Sequence, residues 1–341
     1  MRLLLLVGSA FGIGLLLTIG WVFHGPTLTG ALEIGLLPIV CASAYRPFSL
    51  ALYTWSWRFL IPAAGRPRFL PLWRLRWIGE AINGLVPAAQ IGGDLTRAQL
   101  LAARGTGGAA AGAAMVADVA VGTFTQALFG IAGLAALAAI GGGGVQGRLR
   151  TLIVIGSLVT LAGGVALLGL LHAGGGEFLL ARLPIARRLG TRGKALTDGV
   201  ASLDAAMKRL ARRPRALAAA GLWHLLGWFS QVLETWGGLA LCGARVSWSA
   251  ALAIESLSAA ARAAAFFVPG GLGVQEGALF YLCRHLGVPP EPALALGLVK
   301  RLREIVVGLP GLVAWAIAER APLGRLRARL RAFWSRRCAD A

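Results

Sequence analysis

Charged side chains make up only 14% of this 341-residue chain, and acids are the scarcer kind, 14 Asp and Glu against 34 Lys and Arg. So little charge beside 57% hydrophobic residues excludes a soluble globular domain and a disordered chain alike. The four cysteines, Cys41, Cys242, Cys283 and Cys338, form no CxxC pair. That spacing excludes a disulfide framework and a zinc site. The four histidines have no metal-ligand spacing, and GxSxG is absent. No phosphate-binding loop for ATP occurs. GLGVQE, from Gly271, lacks the third glycine and the βαβ setting of a dinucleotide fingerprint. No metal and no cofactor are expected.

What is abundant is long uncharged sequence. Leu3 to Phe23 and Thr151 to Gly176 hold no Asp, Glu, Lys or Arg, and Thr106 to Ile140 holds only Asp118. A hydrocarbon core of about 30 Å needs roughly 20 such residues. The expected fold class is therefore all-α, a polytopic integral membrane protein. The formal charge of +20 sits between the apolar runs, around Arg58–Arg76, Arg182–Arg215 and Arg320–Arg337. The short loops near Gly25–Leu32 and Gly243–Ser247 hold only Arg245. This is the positive-inside pattern of a bacterial inner-membrane protein with both termini cytoplasmic. It argues against a nucleic-acid partner.

In chain order, spans are expected near Leu3–Phe23 (uncleaved), Ile34–Trp57 (kinked at Pro38 and Arg46-Pro47), Gly107–Ile140, Thr151–Leu171, Leu217–Cys242, Trp248–Val268 and Pro292–Ala318. Leu196, Val200, Leu203, Met207 and Leu210 recur at helical spacing among Lys and Arg, which suggests a helix lying on the membrane surface. Leu323, Leu326, Leu330 and Phe333 repeat that pattern in the tail. The membrane domain is thus expected over 1–319 and a basic amphipathic tail over 320–341. A short helix, Val274–His285, decides the crossing number. Counted as a crossing it gives about eight transmembrane helices. Counted as re-entrant it gives seven and puts the arginine-rich tail outside. The charge rule favours eight.

Two segments are broken. Trp77–Leu101 carries Glu80, Asn83, Gln90 and Asp94 around Pro87 and Gly92-Gly93 and suits a re-entrant hairpin. Phe266–Cys283 breaks at Pro269, Gly270, Gly271 and Gly273, then restarts with Gln275 and Glu276. A break at membrane depth is tolerated only where it is buried in protein or lines a wet cavity. Aligned on their prolines, the segments match in the acid seven residues on (Asp94, Glu276) and in an intramembrane charge 31 residues on (Asp118, Lys300). The expectation is an inverted repeat, a transporter device with its site near the repeat interface. Chance remains the alternative, because proline–glycine breaks are common in membrane proteins.

Further ionisable residues fall inside apolar runs: Glu234, Glu255, Arg262, Arg301, Arg303 and Glu304. Each charge at the bilayer centre costs at least about 2.5–3.5 kcal/mol, so such groups face a cavity or one another. One reading is a polar chamber in which Arg262, Arg301 and Arg303 clamp an anionic head group. The free N–H groups at Gly273–Gln275 would assist. Asp118, Gln126, Glu234, Glu255 and Lys300 would then line the chamber or couple an ion. The other reading is internal pairing that locks helices, Lys300 with Glu304 among them, with Glu276 and Asp94 as helix caps.

LVPAAQIGGDLTRAQLL, the Asp118/Gln126 helix, ESLSAAARAAAFFVPGGLGVQEG and LVKRLREIVVGLPGLVAW resemble the flippase-like membrane domain of lysylphosphatidylglycerol synthases. The hopanoid-biosynthesis-associated HpnL-type members are the most similar. The resemblance covers nearly the whole chain. It implies an inner-membrane protein that moves a polar or anionic lipid, a hopanoid or related intermediate among the candidates. Its matching polar positions here are Glu80, Asn83, Gln90, Asp94, Asp118, Gln126, Glu234, Glu255, Arg262, Gln275, Glu276, Arg301 and Glu304. The chain ends some twenty residues after its last span, so the synthases' soluble aminoacyl-transferase activity is not carried over. Three functions stay open: a lipid translocator, a membrane enzyme acting on a lipid head group through carboxylates such as Glu234, and a non-catalytic partner of lipid-biosynthesis enzymes.

Overall fold

Proline and glycine punctuate the helices of this chain. The structure, a computed structural model, describes residues 33–86, 92–140, 147–174, 190–264 and 273–339. The first expected span, Leu3–Phe23, and the residues Gln90, Gly270 and Gly271 lie outside these. Among the described residues there are helices and connecting turns and no strands. Helix α1, Leu37–Leu60, begins with Pro38 in its first turn, where a missing N–H costs nothing, and continues through Pro47. Helix α2, Phe69–Leu85, and α3, Gly92–Leu101, flank the first break. A π-helical turn, Ala102–Thr106, ends at positive-φ glycines Gly105 and Gly107. The alanine-rich α4, Gly108–Ala139, follows, then α5, Gly147–Ala173, and α6, Gly190–Ala211. The last four are α7, Pro214–Leu241, α8, Trp248–Ala264, α9, Val274–His285, and α10, Pro290–Ala339.

Helices α1–α4 and α7–α10 form two sets with matching order. They also share a packing scheme. Helix α1 packs on its counterpart α7, α2 on α10, and α8 on α4. Tyr45 donates to the Ser230 carbonyl while Trp55 stacks on Trp223, so α1 and α7 run antiparallel. Gly311 of α10 faces Trp77 and Ala81, and Gly308 faces Ala81 and Leu85, so α2 and α10 are antiparallel too.

Among the described residues, three helices are long and apolar enough to cross a membrane: α4, α7 and Val154–Ala173 of α5. Leu222, Leu226, Phe229, Leu233 and Trp236 of α7 stand outward, as do Leu302, Val306, Leu309, Val313 and Ile317 of α10. Such rows suit lipid as their solvent and are a liability in water.

Three expectations change. The basic loop ends at Arg68 rather than Arg76, because Leu72, Leu75 and Ile78 bury one side of α2 and draw Arg76 inward. Helix α6 does not present its apolar side to a membrane surface. Its Met207 and Leu210 are buried in a core with Ala113, Ala114 and Leu171 of α4 and α5. The tail continues α10 as one 50-residue helix, instead of forming a separate surface helix.

Candidate functional site

The first set of helices is organised around Asp118. This residue lies about a third of the way along α4 and is 2% exposed. Its Oδ2 accepts hydrogen bonds from Arg76 Nη1 at 2.5 Å and from Arg97 Nη2 at 2.7 Å. Arg97 also meets Asp94 Oδ1 at 2.8 Å. Arg76 lies 3.5 Å from Glu80 one turn on, and Glu80 accepts from Arg46 Nη2 at 3.2 Å. Cations and acids therefore alternate along Arg46, Glu80, Arg76, Asp118, Arg97 and Asp94. Two guanidiniums are also held by aromatic faces, Arg97 over Trp57 at 4.7 Å and Arg76 over Tyr53 at 5.5 Å.

Local structure places Asp94. Asn83 Oδ1 accepts from the Gly93 N–H at 2.8 Å, and its amide nitrogen donates to Asp94 Oδ2 at 3.3 Å. Helix α3 thus starts on a side chain from α2. The approach is close: a Cβ on Gly93 would stand 2.0 Å from the Gly79 carbonyl oxygen.

The second set is organised around Glu304. It accepts from Arg262 Nη1 at 3.1 Å and from Arg301, and lies 3.8 Å from Arg303. Arg303 also donates to Glu234, and Arg301 lies 3.7 Å from Glu276. Gln275 Oε1 accepts from Arg262 at 2.9 Å. Glu276 accepts from the N–H of Gly273 at 2.9 Å, so it also caps α9, and Gly273 has φ +80°, which only glycine adopts readily. Lys300 closes on Glu255 at 2.5 Å, and Thr235 donates to the same oxygen.

A cavity of about 370 Å³ lies between the two sets. Of the residues expected from sequence, Glu80, Asn83, Asp94, Asp118, Gln126, Glu255, Arg262, Gln275, Lys300, Arg303 and Glu304 line it. Glu276 and Arg301 sit beside it around a small recess, and Glu234 stands behind Arg303. The three arginines expected to clamp an anion do not stand free, since each already faces a carboxylate. The expected pair of Lys300 with Glu304 does not form.

The cavity also takes in Arg46, Tyr53, Arg76 and Arg97, which were not expected there, together with His224 and Gln231 of α7. His224 Nε2 lies 3.4 Å from Asp118 Oδ1. Arg76 was hidden in a basic cluster and Arg46 in a proline kink. Arg97 had a usable signal, its position three residues after Asp94 on one helical face. Glu80 and Arg262 each precede their break proline by seven residues, so equivalent positions face the cavity with opposite charge. Asp118 and Lys300 do the same.

Among the described residues no group of His, Cys, Asp and Glu is arranged to hold a metal ion. Chemically the arrangement is a polar, ion-paired chamber enclosed by apolar helices. No curated protein and no solved structure matches the chain. The family model for the lysylphosphatidylglycerol synthase transmembrane region matches residues 3–311, nearly the whole chain, and the protein belongs to that membrane family.

Proposed function

We propose that this protein moves a lipid with a polar or anionic head group between the leaflets of a bacterial inner membrane. The head group passes through the chamber while the acyl or polycyclic tail stays in lipid. The observation that carries this reading is the position of the chamber. It lies between α1–α4 and α7–α10, whose first members α1 and α7 run antiparallel, and the helix ends that flank both breaks reach it through Leu85, Asp94, Ala263 and Gln275. Inverted sets with broken helices are how transporters bring a site to the middle of the bilayer. In this reading the chain crosses about eight times, both ends are cytoplasmic, and the breaks are re-entrant. Asp118 or Glu234 couples a proton or ion in this reading.

The test is transport of a fluorescent lipid in vesicles containing the purified protein, with Arg262→Ala as the variant. Glu304 keeps Arg301 and Arg303 in that variant, so the fold has reason to survive. Transport is expected to fall about tenfold or more, equivalent to about 1.4 kcal/mol in the barrier. Transport at the wild-type rate by a folded Arg262→Ala protein would sink the site assignment.

A further inference from the structure

Among the described residues, and apart from His224, the charged side chains around the chamber balance in number. The network on Asp118 sets three cations against three acids. The network on Glu304 again sets three against three. Lys300 and Glu255 add one of each. The break segments 86–91 and 265–272 contribute no ionisable side chain to this balance. A net anion entering such a chamber finds every guanidinium engaged. Taking one would leave its network with three acids against two cations, and an uncompensated buried charge is strongly unfavourable.

A head group carrying both signs avoids that penalty. Its phosphate takes a guanidinium, and its ammonium meets the acid left in excess, so the charges stay balanced. The chamber also holds buried atoms of both kinds without a hydrogen-bond partner. Arg97 Nη1 and Arg303 Nε are donors, and Asp118 Oδ1 is an acceptor with only His224 Nε2 near it, at 3.4 Å. All three residues line the cavity, whose volume of about 370 Å³ falls in the usual range of ligand sites, ~300–1,000 Å³.

We infer that the chamber selects a zwitterionic lipid head group, a phosphate and an ammonium in one unit, over a net anionic one. This rests on the translocator reading for its role but not for its test. Purified protein is equilibrated with equimolar phosphatidylethanolamine and phosphatidylglycerol, and the retained lipid is read by native mass spectrometry. Wild type should retain the zwitterion about tenfold over the anion. Glu304→Gln removes one negative charge and should shift the ratio about tenfold toward the anion. Gln275→Glu keeps an acceptor on Arg262, adds one negative charge and should shift the ratio the other way. The second variant guards against a misfolded first one. Preference for phosphatidylglycerol, retention of neither lipid, or a ratio that ignores both substitutions would overturn the inference. Selective retention with no transport in vesicles would refute the translocator reading and leave the selectivity intact.

Discussion

Lys300 binds Glu255 across the helix interface, at 2.5 Å, and not Glu304 one turn along its own helix. Both partners are almost fully buried, at 7% and 1% exposure. Removing one partner should therefore cost more than removing both. Glu255→Gln is expected to destabilise the protein in detergent by about 3–5 kcal/mol, and Glu255→Gln with Lys300→Met by much less. Thermal or denaturant unfolding of the two singles and the double closes the cycle. Additive losses would show that the pair contributes no coupling.

Arg97 bridges Asp94 and Asp118 while lying on Trp57. A lysine carries the same charge but lacks the planar fork, so it cannot hold both carboxylates in this geometry. Arg97→Lys should lower stability by about 2 kcal/mol, whereas Arg104→Lys, on an exposed residue, should stay within about 0.5 kcal/mol. Equal melting temperatures for the two variants would remove the bridge from the account.

Gly93 stands against the Gly79 carbonyl, and Gly84 has open space around its Cα. Gly93→Ala forces α3 away from α2 and pulls Asp94 off Arg97. It should cost about 2–3 kcal/mol and reduce lipid retention. Gly84→Ala should be neutral or slightly stabilising, since alanine favours the helix by ~0.5–1 kcal/mol. Melting curves beside lipid retention for both variants check this, and a silent Gly93→Ala would contradict the close approach.

Met207 of α6 is 4% exposed, buried against α4 and α5. Met207→Ala is then a core truncation and should cost about 2–5 kcal/mol in detergent, with no bilayer present. A helix held only by a membrane surface would show no such loss. The outcome separates the two placements of this segment.

Much of this architecture is legible in the order of the residues. Apolar runs locate α4, α5 and α7 to within a few residues. The proline–glycine breaks locate α9 at its observed bounds, because a glycine at positive φ followed by a capping Glu276 is a local device written in adjacent residues. The acids and bases of the apolar runs point to a chamber, and eleven of the expected site residues do line one.

Partner choice is not legible in that way. Arg76 reads as one more basic residue beside the membrane until Leu72, Leu75 and Ile78 bury their side of α2 and turn it toward Asp118. His224 comes within 3.4 Å of Asp118 although the two lie 106 positions apart. Composition and adjacent residues suffice to set which segments leave water, where helices stop and how many charges the apolar runs must house. Which cation meets which acid on another helix is settled by the packed helices alone. An ion pair is won by distance and burial, and those are set where α2 crosses α10 and α8 crosses α4, a geometry that no local spacing encodes.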